Sequence, residues 1–330
     1  GFWGVKVIKM DENACSFDPA AANDSDCLVD EGQFEPFVIQ EPKKLTSPLV
    51  FSSPHSGRCY LKSFARASQL DLKTLRRSED AFVDELFQKV SQIGAPLLRA
   101  NAPRAYLDLN REPGELDPKL FDGPLPSEAN TRSLRVAAGL GIIPRVVSDA
   151  RDIYPKRLSM AEALTRIDRY YYPYHEALRT LMVRARDKFG YAILIDCHSM
   201  PSSTYRTSIR SPLRVEKEPA DFVIGDRFGA SAAHVIVCSL EDRIKKLGYK
   251  VSRNKPYAGG FITESYGQPA SGWHAIQIEI SRAIYMDEAH LIKNAQFPQV
   301  TAHIFDVING LSHDLGHGFN FSGSLNAAAE

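Results

Sequence analysis

The sequence predicts an α/β protein: a single three-layer α/β/α domain around a mixed sheet. Short runs rich in Val, Ile, Leu and Phe, at 49–53, 96–99, 191–196, 221–225, 249–252 and 275–281, alternate with stretches whose apolar residues recur at helical spacing. Alternating strands and helices pack as a sheet covered by helices. At 330 residues the chain is long enough for one large domain or two small ones, and the βαβ rhythm favours one.

Residues 1–45 read as an irregular leader, because Ala20-Ala21-Ala22-Asn23-Asp24-Ser25-Asp26 has no apolar period. The domain is expected over 46–316. Leu49-Val50-Phe51 opens the first strand. A helix is predicted over 78–92, with Ser78 as cap and Phe82, Leu86, Phe87 and Val90 as its apolar stripe. Residues 96–99 and 105–109 read as short strands. Pro113, Gly114, Pro118, Gly123, Pro124 and Pro126 then crowd into 112–135, and a loop of that length inside a compact domain reads as a flap over a site. A helix over 159–188 precedes the strand 191–196. Strand 221–225, helix 229–247 and strands 249–252 and 275–281 follow. A helical region over about 287–312, interrupted near Pro298, closes the domain, and 317–330 read as a tail.

Composition narrows the function. Forty Lys and Arg balance forty Asp and Glu, which argues against nucleic acid or an anionic membrane as the main partner. No apolar run approaches the roughly 20 residues of a membrane-spanning helix. Residues 1–10 lack the apolar core of a secretory signal. The five cysteines are scattered and include no CxxC, so a reducing, cytoplasmic setting is expected. The oligomeric state has no signature in the sequence.

The chemistry concentrates at strand ends. Pro54-His55-Ser56-Gly57 follows the first strand, and Asp196-Cys197-His198-Ser199 follows Ile193-Leu194-Ile195. Two imidazoles at strand ends of one α/β sheet can converge on a ligand, and the flanking Ser56, Gly57 and Ser199 admit close approach. A catalytic metal site needs a third ligand. Glu79 or Asp80 can supply it, although both also suit the start of a helix. Asp196 shares the strand face of His198 and can orient its imidazole, whereas Cys197 points into packing. His313 and His317 have helical metal spacing in a Gly-rich tail and read as surface residues. Of the remaining histidines only His274 adjoins a functional strand.

In 276–282, Gln277, Glu279 and Ser281 share one face and three isoleucines the other. A glutamate in an apolar strand is either paired, with Arg282 for example, or functional as a general base. Asn110-Arg111 can form a clamp for a carboxylate, or pair with Glu112 or Glu115 at the surface. Arg145 is a second possible anion contact. Gly259-Gly260 reads as a turn where backbone approaches something closely, or as a plain hairpin.

Taken in order, Pro54-His55-Ser56-Gly57, Glu79-Asp80 with Val83-Asp84-Glu85-Leu86, Asp108-Leu109-Asn110-Arg111, Asp196-Cys197-His198-Ser199, Tyr257-Ala258-Gly259-Gly260 and Gln277-Ile278-Glu279 resemble the motifs of the N-formylglutamate amidohydrolase family over roughly residues 48–312. The resemblance implies a zinc carboxypeptidase-like fold and a cytoplasmic zinc amidohydrolase. Its substrate would be a small N-acyl amino acid, N-formyl-L-glutamate, cleaved to formate and L-glutamate at the end of one histidine-degradation route. It favours Asp80 over Glu79 beside His55 and His198 as metal ligands. Combined with the residue pattern, it leads to an expected mechanism in which Glu279 is the general base, Asn110 and Arg111 hold the α-carboxylate, and Arg145 holds the side-chain carboxylate or the oxyanion. Ser199, Gly259 and Gly260 are expected to line the substrate. The usual zinc-peptidase spacing is broken, since Arg58 stands where a carboxylate would follow the first histidine. Two histidines and one carboxylate also accept Co, Mn or Fe. A different acyl group, peptide cleavage, or a metal-binding relative without catalysis are the alternatives.

Overall fold

The computed structural model describes residues 27–32, 35–147, 150–205 and 219–316. The fold is mixed α/β, as expected. Its main sheet has seven strands: Phe37–Gln40 (β1), Leu49–Ser53 (β2), Leu97–Ala100 (β3), Ala192–Met200 (β4), Phe222–Gly225 (β5), Val251–Arg253 (β6) and Trp273–Ser281 (β7). Their order is β6-β5-β7-β4-β2-β3-β1. Strand β4 runs parallel to β2 and to β7, while β5 runs antiparallel to β7. All nine residues of β4 and all nine of β7 are buried. Strands covered on both faces need apolar side chains on both faces. Ala192-Ile193-Leu194-Ile195 and Ala275-Ile276 meet that need, and apart from His274 the polar residues enter from the middle of each strand onward.

The chain divides into two compact units. Among the described residues, 41–53, 82–97 and those from 181 to 316 form one, and those from 27 to 40, 54–81 and those from 98 to 180 the other. The first contains β2, β4, β5, β6 and β7. It also holds helices Val83–Leu86 (α1), His234–Lys246 (α4), Phe261–Tyr266 (α5) and Phe297–Gly316 (α6). Helix α6 buries Phe297, Val300, Ile304, Ile308 and Leu311, at helical spacing. Phe297 meets Phe82 edge-on at 6.2 Å. The other unit contains helix Met160–Arg166 (α2) and the first half of helix Tyr172–Phe189 (α3), joined by a π-turn at Ile167–Tyr171. Its aromatic core stacks Tyr60 on Phe64 and sets Phe64 edge-on to Tyr106 around the buried Arg166. No helix among the described residues is long and apolar enough to cross a membrane.

Several expected elements differ. Part of the segment 1–45 is regular: Leu28–Val29 pairs with Tyr60–Leu61, and Phe37–Gln40 is β1. A strand of four residues between Pro36 and Pro42 is too short to show a period, and its order comes from tertiary contacts. Residues 20–26 and the tail from 317, with His317, lie outside the described residues. The helix expected over 78–92 is broken. Phe82 takes a left-handed φ of 65°, helix α1 runs only to Leu86, and a 3₁₀ segment follows to Ile93. Ser78 does not cap it, because its hydroxyl donates to the Leu75 carbonyl. Residues 105–109 form turns started by Pro103, whose carbonyl accepts from Tyr106 and Leu107, and not a strand. Strand β4 runs to Met200, so His198 and Ser199 stand within it. Residues 287–296 are not helical: Met286–Asp287 pairs with Ile292–Lys293. Pro298 does not interrupt the last helix but lies in its first turn, where a missing N–H costs nothing.

Two consequences are measurable. At Gly57 a Cβ would lie 2.0 Å from the Ala102 carbonyl oxygen. Gly57→Ala therefore destabilises the protein by about 1–3 kcal/mol in urea unfolding. His274 is buried, its Nδ1 accepts from the Ala233 N–H, and burial pushes its pKa down from 6.5 to about 4. The folded state keeps it neutral while the unfolded chain takes up a proton below about pH 6.5. Stability therefore falls as pH drops from about 6.5 to about 4, by on the order of 2–3 kcal/mol. His274→Asn retains an acceptor and removes the titration. Its unfolding free energy loses less over that window than the wild type's.

Candidate metal centre

His55 lies two residues beyond β2, on the turn that Gly57 permits by its approach to Ala102. Its Nε2 is 2.7 Å from Asp108 Oδ1 and its Nδ1 is 3.4 Å from Asp80 Oδ2. The Asp80 N–H donates to the His55 carbonyl at 2.9 Å, which ties the two segments together. Asp108 is buried and is approached by Arg104 Nε at 3.0 Å, Arg111 Nη2 at 3.3 Å and the Asn110 N–H at 2.9 Å. Burial acts to raise its pKa. Arg111, His55 and Arg104 outweigh burial and hold it well below the usual carboxylate range.

The neighbouring acids Glu79 and Asp80 have different surroundings. Glu79 Oε1 accepts from Tyr60 Oη at 2.8 Å and from Arg76 Nε at 3.2 Å. Burial raises its pKa, with Arg76 and Tyr60 working against that. Asp80, one residue on, faces His55.

His198 and Glu279 are direct partners in the parallel pairing of β4 with β7, and Asp196 pairs with Gln277. With a side-chain period of two, all four stand on one face of the sheet. His198 Nε2 is 3.0 Å from Asp196 Oδ2, the orienting contact expected for Asp196. Glu279 Oε1 accepts from Gln277 Nε2 at 2.8 Å, and Gln277 Oε1 accepts from the Gly260 N–H at 2.7 Å. Gly260 begins α5 and is not part of a hairpin. Close approach is real there: a Cβ on Gly225 would lie 2.7 Å from the Ala258 carbonyl carbon. Arg282 Nε donates to Ser199 Oγ at 3.1 Å. Cys197 points into the core, as expected, and burial raises its thiol pKa.

His55, Asp80 and His198, all buried, offer one ligand atom each, and these atoms lie within 4.8 Å of one another. Two imidazoles and a carboxylate suit zinc and its divalent neighbours. Each imidazole has a carboxylate at Nε2, Asp108 for His55 and Asp196 for His198. A carboxylate there favours the tautomer with the proton on Nε2, which leaves the Nδ1 lone pair available to a metal. The donor set fits a divalent cation.

Arg111 is buried, its Nε donates to the Leu140 carbonyl and its Nη1 to the Asn110 carbonyl. Burial pushes its pKa down to about 10, with Asp108 opposing, so it stays charged at neutral pH. Its ion pair is with Asp108, where the sequence offered Glu112 or Glu115 at the surface, and Glu115 is itself buried. Arg145 is engaged elsewhere, by Asp117 at 2.8 Å and Asp152 at 2.6 Å. The sequence pattern leaves three residues without their own role: Asp108 stands only within a strand-end motif, Gln277 only shares the face of Glu279, and Arg282 only offers an ion pair.

A model of the family N-formylglutamate amidohydrolase matches residues 47–286. The chain is 30% identical over 244 residues to N-formylglutamate deformylase of Pseudomonas aeruginosa, covering 73% of this chain and 83% of that protein. It is 29% identical to the Pseudomonas putida protein of the same name, covering 73% and 82%. The crystal structure of N-formylglutamate amidohydrolase from Ralstonia eutropha JMP134 is 35% identical and superposes with a TM-score of 0.81, covering 87% of this chain and all of that one. A match over most of the chain in sequence and in fold has one reading: the chain belongs to the N-formylglutamate amidohydrolase family.

Proposed function

We propose that this chain hydrolyses the formyl amide of N-formyl-L-glutamate to formate and L-glutamate. The observation that carries the reading is the buried His55, Asp80 and His198 group in a chain whose relatives are named for that activity. In it, His55, Asp80 and His198 hold the metal, and zinc is the ion that best suits the donor set. A metal bound there supplies Lewis-acid polarisation of the formyl carbonyl and lowers the pKa of water.

The remaining work falls to side chains of this chain. Glu279 accepts the proton of the attacking water and returns it to the departing amine nitrogen. Gln277 fixes the orientation of that carboxylate by donating to Oε1, and the Gly260 N–H fixes Gln277 in turn. Asp108 and Asp196 hold the two imidazoles in one tautomer and one orientation. Asn110 and Arg111 take the α-carboxylate. Because Arg145 is bound by Asp117 and Asp152, the second carboxylate is assigned to Ser199 with Arg282, whose guanidinium already reaches the Ser199 hydroxyl. Gly259 and Gly260 line the substrate with backbone. The products suit the last step of a histidine-degradation route in the cytoplasm.

Formate release from a panel of N-acyl amino acids tests the substrate. N-formyl-L-glutamate should be the best, and equal rates with N-acetyl or monoacid analogues would refute the assignment. Glu279→Gln should retain metal and lose about 10²- to 10⁴-fold in kcat. Full activity in that variant would place the base elsewhere. His198→Ala should purify without stoichiometric metal by elemental analysis. The rise in Tm that zinc gives the chelator-treated wild type should be absent from it.

A further inference from the structure

We infer that one helix face, carrying Arg166, Tyr171 and His175, clamps the 106–111 loop through its main chain. Three of the loop's carbonyls accept bonds from that face. Arg166 Nη1 donates to Tyr106 O at 3.2 Å, His175 Nε2 to Leu109 O at 2.9 Å, and Tyr171 Oη to Arg111 O at 2.8 Å. The last two carbonyls flank Asn110, so the clamp fixes the backbone on both sides of the Asn110-Arg111 pair. Arg166 also lies 4.1 Å over the ring of Tyr106 and donates to Tyr154 Oη at 2.7 Å. The Tyr171 and His175 rings pack on each other at 4.3 Å.

The π-turn makes this face possible. In a straight α-helix, residues five apart point roughly 140° away from each other, so Arg166 and Tyr171 would not address the same loop. The wider turn at Ile167–Tyr171, closed by the Tyr172 N–H on the Ile167 carbonyl, brings them into line. It also buries two consecutive tyrosines: Tyr170 meets Tyr106 edge-on at 5.4 Å while Tyr171 reaches Arg111 O. Single π-turns inside α-helices occur often at functional sites. Here the turn gives Tyr171 and His175 the part of positioning residues, which act on the substrate through the loop they hold. The kinetic consequence of the clamp rests on the proposed substrate role of Asn110 and Arg111; its effect on the loop does not.

The test combines hydrogen exchange of the peptide spanning 105–112 with steady-state kinetics on N-formyl-L-glutamate, both in the metal-loaded full chain. Tyr171→Phe and His175→Ala should each exchange several-fold faster in that peptide. Each should raise KM about three- to tenfold, as expected for one lost hydrogen bond, with kcat within about twofold of wild type. His175→Gln, which can place an N–H near the position of Nε2, should restore both values. Tyr172→Phe, at the exposed neighbouring tyrosine, should behave as wild type. Unchanged exchange in Tyr171→Phe, or equal behaviour of His175→Ala and His175→Gln, overturns the clamp. Faster exchange with an unchanged KM upholds the clamp and refutes the loop's role in substrate binding. If the wild type releases no formate, the proposed substrate is wrong, and the exchange rates still decide the clamp.

Discussion

The buried carboxylate of Asp108 is the constraint around which its surroundings are arranged. A charge removed from water is tolerated only when its lone pairs are satisfied by donors or cations. Four groups meet that demand: the His55 imidazole, Arg104, Arg111 and the Asn110 N–H. Each is thereby held in place. The imidazole is given its tautomer, Arg111 its position in the interior, and the backbone of 108–110 its turn. Arg111 is buried because Asp108 is, and the further bonds from Arg111 to the Leu140 and Asn110 carbonyls follow from that placement. One acid thus supports both a candidate metal ligand and a candidate substrate clamp.

Strands β4 and β7 apply the same principle on a sheet. Both are buried throughout, so every polar side chain they carry must be satisfied. The parallel register sets Asp196 beside Gln277 and His198 beside Glu279. Each strand answers its candidate site residue with a partner two positions earlier on the same face: Asp196 for His198 and Gln277 for Glu279. The support for Gln277 comes in turn from the backbone of Gly260. A carboxylate held by a side chain that is itself held by main chain is pre-set in one orientation, which suits the base proposed for Glu279.

Glu79 and Asp80 show how neighbouring acids of similar chemistry are sorted by their surroundings. The left-handed Phe82 ends the segment before it can become helix, so the two carboxylates do not share a helical first turn. Glu79 is turned to Tyr60 and Arg76 and serves the packing of its own segment. Asp80 is tied to His55 through both backbone and side chain. Burial of both residues is nearly complete, and partner identity separates them.

Much was legible in the sequence because it depends on local period and on residue type. The alternation in 276–282 put Gln277 and Glu279 on one face, and the apolar runs located β2, β4, β5 and β7. The motifs around His55, Asp80, His198 and Glu279 carried the family. What failed was decided by long-range contact. Strand β1 exists because it joins a sheet, and residues 105–109 turn because Pro103 starts them and a hydrogen bond from the Asp108 N–H to Ile142 O anchors them. The choice between Glu79 and Asp80, the engagement of Arg145 by Asp117 and Asp152, and the part of Asp108 required knowing which side chains face one another. Sequence by itself determined which chemistry the chain carries, since ligand and base types are properties of single residues. Only the tertiary structure decided which acid serves which histidine, since hydrogen bonds act over about 3 Å and residues that close are brought together by the fold.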